Sequence, residues 1–522
     1  MHSSKAGFIS QISALARYAN HNALVEVFLE ASEYYAVDLD FQNEMGSLVL
    51  QYGYVSLAQS CYERVLQIQP DNFIALLNLS NIFHSIGQNL TSLQLINRLL
   101  EKNPQHPILR RNVLLIQEYE HTCSDLKRFV DAKNWGEWAI KQAGGLHNRP
   151  PMKARNNRKL RIGYVSADFC QHTVGLFIKD LLSQHQTDKF DIYTYSNTQQ
   201  IDWVTELIKK NSHYQVIQHL DNAAVAAQIE RDQIDVLIDL SGHTAGSRLS
   251  VFTLRPAPVM ISWLGYFATT GLSYIDAIFL DHFHYTKLNC DYFTEKIFFI
   301  DPCRFCYQPV AWARDTPLTQ LPALTNGFIT FASFNNTAKL NENVLNLWAK
   351  ILLAVPNSKL VLKWRTFIDV NFSDSIREFF IQQGIPSARL DLQAASFHQD
   401  LFKAYSQIDI ALDPFPFSGG LTSCEALWMG LPVITWPQNR IVSRQTYSFL
   451  STIGLTETVA SNETEYIQFA VNLANNLSHL AKIRQTLRQT MLKSKLLDIA
   501  SFTQQIEQLY IQVFDEIFAK SG

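Results

Sequence analysis

Apolar positions change their period along this chain, and the change divides it. Over residues 5–143 they recur every three to four residues, the spacing of a helix with one buried face. From residue 160 onward, short continuous apolar runs alternate with helical stretches. Strands are predicted at 160–166, 190–196 and 236–240, with helices at 174–182 and 223–231. After a Pro-rich link at Pro317 and Pro322 the alternation resumes. Strands are predicted at 328–332, 359–363, 408–412 and 432–435, with helices at 343–355 and 422–430. A final helix over 502–519 carries a one-sided stripe of Ile506, Leu509, Tyr510, Val513, Phe514 and Ile517, which must pack on a partner surface. Alternating strands and helices imply parallel sheets with ligands at the carboxyl ends of the strands.

The helical part repeats. Pro70 and Pro104 lie 34 residues apart, as do Gly53 and Gly87, Ala58 and Ser92, and the series Phe28, Tyr62 and Ile96. That is the tetratricopeptide period, with small residues where two helices cross and a proline closing each unit. Two clear units and a degenerate one over 5–36 reach the minimum for a stable stack. Such arrays bind extended peptides on a concave face, or serve as spacers or dimer surfaces. Gly144-Gly145 and the basic run from Arg149 to Lys159 then mark a linker whose charge is expected at solvated surface.

Composition narrows the class. A chain of 522 residues needs two to four domains. Its 47% hydrophobic and 17% charged residues describe a globular protein, and a net charge of −3 offers no footprint for nucleic acid. No apolar signal core follows Met1, and no run reaches membrane-spanning length. Seven scattered cysteines fit reduced thiols in a cytoplasm, with signal-independent export the other route. Cys303-x-x-Cys306, with His282 and His284 upstream, is either a zinc site or two buried thiols.

The candidate chemistry lies in loops that follow strands. Ser418-Gly419-Gly420 is a tight turn running into a helix, where unpaired backbone N–H groups can meet an anion; the alternative is an ordinary strand-to-helix turn. Lys339 sits in another such loop, either as a phosphate cation or as a surface lysine. His172 and His243 fall just beyond strand ends, either as structural hydrogen bonders or as proton-handling or sugar-binding groups. Glu425, one turn into its helix, is a ligand-binding or a surface carboxylate.

The wording of these loops goes further. Pro416-Phe417-x-Gly419-Gly420-x-Thr422, then Cys424-Glu425-Ala426-Leu427-Trp428-Met429-Gly430-x-Pro432, resembles the donor-diphosphate loop of the O-linked N-acetylglucosamine transferase family, glycosyltransferase family 41. Ser166-Ala167-Asp168-Phe169 with His172, Leu254-Arg255-Pro256-Ala257-Pro258, Trp263-Leu264-Gly265-Tyr266, Thr269-Thr270-Gly271, Phe334-Asn335-Asn336-x-x-Lys339 and Pro437-Gln438-Asn439-Arg440-x-Val442-Ser443-Arg444 are similar to other stretches of that family. The likeness covers residues 36–520, without the long domain inserted between the lobes of animal members. It implies a GT-B fold, two facing Rossmann-like lobes preceded by the all-α array. The domains expected are repeats and linker over 1–150, an acceptor lobe over 151–315, a donor lobe over 316–500 and a closing helix over 501–522.

The resemblance also implies the activity: an inverting protein O-glycosyltransferase moving N-acetylglucosamine from UDP-N-acetylglucosamine to Ser or Thr. No Asp-x-Asp lies in either lobe, since Asp38-Leu39-Asp40 belongs to the repeats, so no metal or other cofactor is expected. Lys339 would meet the departing diphosphate together with the N–H groups and hydroxyls of Ser418, Gly419, Gly420, Leu421, Thr422 and Ser423. Asn335, Asn336, His398, Glu425, Gly265 and Thr270 would bind the donor, with His172 and His243 as catalytic candidates and His172 orienting the acceptor or taking its proton. Phe267 stands where many members have proline, Leu401 where the family has a histidine near the base, and Leu421 where many have threonine. These departures bear on donor selectivity. The alternatives are a GDP-fucose O-fucosyltransferase, a UDP-glucose N-glucosyltransferase and a decayed tetratricopeptide adaptor. Partners would be protein acceptors held by the repeats, and a second copy of the chain, with neither nucleic acid nor membrane.

Overall fold

The computed structural model describes residues 4–18, 20–156, 158–289 and 291–521, the last by its backbone alone. Residues 1–3, Asn157 of the linker and Cys290 among the cysteines lie outside it. The chain packs into two compact units, Met1–Tyr119 with Pro322–Pro414 and Glu120–Leu321 with Phe415–Gly522. As expected, a helical array precedes parallel sheets. Among the described residues no helix is long and apolar enough to cross a membrane.

In the first unit the repeats form antiparallel helix pairs, Lys5–Arg17 with His21–Tyr34, Leu39–Gln51 with Val55–Ile68, and Phe73–Ser85 with Asn89–Lys102. The degenerate first pair folds like the others, its core filled by Phe8, Ile12, Leu24 and Phe28. Ala58 and Ser92, at equivalent places, are fully buried where helices cross, and the Ser92 hydroxyl lies 3.0 Å from that of Ser80. The periodic stretch over 109–143 is broken in two, Pro107–Gln117 and Asp125–Gln142. The break falls where Glu120 accepts from the N–H and hydroxyl of Thr122 and Ser124 caps the next helix, so short polar side chains outcompete the ladder.

The second unit is built on a seven-stranded parallel sheet: β1 Leu160–Ser166, β2 Phe190–Ser196, β3 His213–Val216, β4 Val236–Asp239, β5 Val259–Ser262, β6 Ala277–Leu280 and β7 Lys296–Phe299. Their order is β3-β2-β1-β4-β5-β6-β7. It reverses between β1 and β4, which pair in register from Ile162 against Val236. In the first unit, β8 Ile329–Ser333, β9 Ser358–Lys363, β10 Leu390–Gln393 and β11 Ile410–Leu412 run parallel in the order β10-β9-β8-β11, and β8 pairs with β11 at Phe331 and Ile410. In a doubly wound sheet the crevice that receives ligands opens at such a reversal. The loops after β1, β4, β8 and β11 are therefore the ones to inspect.

The linker departs from expectation. Two of its arginines are held against the sheet: Arg149 pairs with Asp276 at 2.7 Å, and Arg158 donates both terminal nitrogens to Asp235 at 2.7 Å, while Arg155 pairs with Asp515 at the exposed surface. The last helix runs Ile499–Ser521, longer than its apolar stripe, because the Asp498 carboxylate accepts from Ser501 N and opens the helix early. It lies on the seven-stranded sheet, with Tyr510 stacked on Phe279 at 5.9 Å and its hydroxyl 2.8 Å from that of Tyr164. Tyr164 is also 2.9 Å from His185, whose other nitrogen is 3.1 Å from Glu507.

This packing makes a graded prediction. Tyr510→Ala empties a fully buried site and should lower the unfolding free energy by about 3–5 kcal/mol. Tyr510→Phe leaves the ring and removes one hydroxyl whose partner keeps His185, a loss of about 1 kcal/mol. Urea titration of both variants checks this, and equal losses would show that packing of the helix is not what holds it.

Candidate active-site loops

The loop after β8 carries Lys339. Asn336 caps a single 3-10 turn, Thr337–Lys339, by accepting from Ala338 N at 3.1 Å. The half-buried Lys339 ammonium donates to Asn335 Oδ1 at 3.1 Å, and the Asn335 amide donates to Ser333 Oγ at 3.2 Å. Burial lowers the pKa of Lys339 to about 8, and the negative charge of Asp413, just past β11, opposes that fall. Lys339 is thus a half-buried lysine of a strand-to-helix loop. Asp413 escaped the sequence reading of the site because β8 and β11 are neighbours only in the folded sheet. His398 opens the helix His398–Tyr405 with its ring 5.3 Å from that of Phe402; Leu401 lies on the same helix.

The second unit holds the other candidates. Gly420 is the N-cap of the helix Leu421–Trp428, and no side chain caps that end. The turn before it is fastened from behind. Ser418 donates to Val442 O at 2.8 Å, Thr446 Oγ1 donates to Gly419 O at 3.2 Å, and the Ser423 hydroxyl lies 2.8 Å from that of Thr446. Leu421 and Thr422 are half-buried and Glu425 is buried. So fixed, the helix end presents a positive dipole that could hold a phosphate.

At the reversal between β1 and β4 the two histidines differ. His172 is half-exposed at the start of the helix Thr173–Gln184, its Nδ1 3.4 Å from Val174 N and 3.5 Å from Asp168 Oδ1. One tautomer caps the helix; the other donates Nδ1–H to Asp168 and leaves Nε2 able to take a proton. His243 is fully buried. Its Nε2 lies 2.8 Å from Thr270 O, and its ring meets Trp135 at 4.4 Å and Tyr266 at 5.2 Å, both edge to face. These contacts tie the ring to the Thr270 loop.

Two buried carboxylates anchor the same loops. Asp239 accepts from Gly242 N at 2.7 Å and Ser241 N at 3.2 Å; burial raises its pKa to about 7, with Glu295 adding to the rise. Glu295 accepts from Thr269 Oγ1 at 2.6 Å, Thr270 N at 2.7 Å and the Thr270 hydroxyl. Gly265 follows Leu264, which has φ +73°, and a Cβ on Gly265 would stand 1.9 Å from Leu240 O. Beneath Phe267 lies Arg304, fully buried, its guanidinium 5.3 Å from that ring and 5.2 Å from Phe305. Sequence reasoning missed Asp239, Glu295, Trp135 and Arg304. A lone acid or arginine among apolar residues is the faint signal each leaves.

Cys303 and Cys306 are two buried thiols, accepting from Ser448 at 3.3 Å and Gln308 at 3.6 Å. His284 pairs with Asp281 at 2.8 Å and His282 stacks on Phe299.

Two doubly wound sheets with basic and glycine-rich loops at their reversals are the frame of GT-B glycosyltransferases. The profile of glycosyl transferase family 41 matches residues 132–308 and 318–506, and the chain belongs to that family. The CABIN1 N-terminal domain profile matches residues 7–121. A Petunia hybrida protein named a probable UDP-N-acetylglucosamine–peptide N-acetylglucosaminyltransferase SPINDLY is 36% identical over 421 residues, 79% of this chain and 44% of that protein. An Arabidopsis thaliana protein named a probable UDP-N-acetylglucosamine–peptide N-acetylglucosaminyltransferase SEC is 26% identical over 79% of this chain and 42% of that one. The chain thus spans less than half the length of these curated relatives. A solved structure of a lysine-to-methionine variant of the Thermobaculum terrenum O-GlcNAc transferase aligns over 100% of both chains with TM-score 0.88 and 28% identity.

The loop geometry separates two glycines. Gly265→Ala drives a methyl into backbone and should destabilise by about 2–3 kcal/mol. Gly420→Ala meets only the end of the Gln445 side chain, at 3.0 Å, and should stay within about 1 kcal/mol of the parent. Denaturant midpoints decide, and an undisturbed Gly265→Ala would refute the close approach.

Proposed function

We propose that this chain transfers N-acetylglucosamine from UDP-N-acetylglucosamine to serine or threonine hydroxyls of proteins, by one inverting displacement and without a divalent ion. The observation that carries the reading is the half-buried Lys339 ammonium, fixed by Asn335 at the sheet reversal. The names of the relatives and of the solved transferase support the donor and the acceptor class.

In the displacement the acceptor oxygen attacks the anomeric carbon as the bond from that carbon to the phosphate oxygen breaks. The electron pair leaves with the diphosphate, whose growing charge the Lys339 ammonium neutralises. A fixed cation does the work a metal ion does elsewhere. The acceptor proton passes to His172 Nε2 or to water; an imidazolium there gains from Asp168, 3.5 Å away across the ring. Asn336 shapes the lysine turn, and Asn335, His398, Ser418, Gly419, Thr422, Ser423 and Glu425 complete donor binding. His243, Gly265 and Thr270 act by fixing a loop, because His243 is enclosed and Thr270 is spent on Glu295. Protein acceptors drawn in by the repeats, and a cytoplasmic setting, belong to the same reading.

Phe267, Leu401 and Leu421 favour one second reading, a different nucleotide sugar on the same machinery. A panel of labelled donors tests both. Turnover with UDP-N-acetylglucosamine, undiminished by EDTA, is expected; turnover with GDP-fucose alone would replace the donor, and loss on chelation would end the metal-free mechanism. Lys339→Ala should lower kcat/KM by about two to three orders of magnitude.

The pH profile is set by the lowered pKa of Lys339. The ammonium is charged below about 8 and lost above it, so UDP affinity should be level below pH 7 and fall toward tenfold per unit above about 8. Lys339→Arg should move that limb to higher pH. A limb unmoved by the arginine would assign it to another group.

A further inference from the structure

The repeats touch the lysine turn itself. Gly87 closes the Phe73–Ser85 helix with φ +83°, and a Cβ there would stand 2.5 Å from Leu340 O and 3.1 Å from Thr337 O, so repeat backbone lies flush against the turn. Thr337 Oγ1 donates to Ser85 O at 2.6 Å and lies 2.8 Å from the Thr366 hydroxyl. Asn89, 2% exposed, donates its amide to Ala338 O at 3.0 Å. The amide is itself oriented. His84 Nδ1 lies 2.7 Å from Asn89 Oδ1, and burial lowers the pKa of His84, so a neutral ring donates Nδ1–H and turns the Asn89 nitrogen toward the carbonyl.

One period earlier the equivalent glycine and a nearby serine grip a different turn. A Cβ on Gly53 would stand 2.6 Å from Arg365 O, and Ser56 donates its N–H at 2.7 Å and its hydroxyl at 2.8 Å to Asp369. Two successive repeats thus clasp the turns that follow β8 and β9. The second clasp docks the array; the first clasps the peptide that carries Lys339.

We propose that the repeat of residues 73–102 is a working part of the donor site, with Asn89 and Thr337 as positioning residues that hold the Thr337–Lys339 turn so that its ammonium meets the diphosphate. This rests on the reading of Lys339 given above. Nucleotide binding and the state of the repeats are then coupled in both directions, as linkage requires.

A double-mutant cycle in the full chain tests it, with UDP as the probe. Asn89→Leu and Thr337→Val should each weaken UDP binding at least fivefold, raise the donor KM and leave the acceptor KM within twofold. Neither should weaken UDP further in a Lys339→Ala background. Thr337→Ser, which keeps the hydroxyl, should restore most of the loss. Ser56→Ala, at the docking clasp, should leave UDP binding within twofold. Melting temperatures identify any variant that has merely lost its fold, and Thr337→Ser then carries the comparison. Equal losses with and without Lys339, or a Ser56→Ala loss as large as that of Asn89→Leu, would overturn the proposal. If Lys339→Ala itself binds UDP like the parent, the donor reading fails first and this inference with it.

Discussion

A positive charge must be kept in a place poor in water. Burial alone would strip the proton from such an ammonium. Lys339 accepts that cost with a bond to the Asn335 amide oxygen at 3.1 Å and with the negative charge of Asp413 opposing the loss. Both neighbours follow from strand order. Asn335 leaves the end of β8 and Asp413 the end of β11, and only the parallel pairing of those strands brings the two ends together.

The loops of the other sheet meet a related difficulty. Backbone N–H groups of a tight turn, drawn under the surface, need acceptors. Asp239 and Glu295 supply them, each holding more than one donor. Burial, with the charge of Glu295 adding to it, is why Asp239 sits far above the usual carboxylate range. Rigid loops here are bought with buried acids, and His243 adds a third fastening through the Thr270 carbonyl.

Much of this was legible in the chain. The 34-residue period marked the helix pairs, because each must bury a small residue where its helices cross. Unbroken apolar runs marked β1, β4, β8 and β11, because strands covered on both faces alternate with nothing. The loop residues stood out as basic or glycine-rich points after those runs. What stayed hidden was partnership across long separations. Nothing near His243 shows that Trp135 will enclose it, and nothing near Arg158 shows Asp235. The place of Lys339 in a strand-to-helix loop was readable, whereas the contacts of its turn with Ser85 and Asn89 were not, since a hydrogen bond to a backbone carbonyl leaves no trace in residue type.

The arginines of residues 149–158 change what the passage into β1 is. Asp235 and Asp276 stand at the starts of strands, where the sheet's lower rim would otherwise expose carboxylates in a row. Arg149 and Arg158 lace the passage along that rim. Those two arginines therefore act as stitches of a hem sewn to the sheet, and shuffling them would strip counterions from the strand starts.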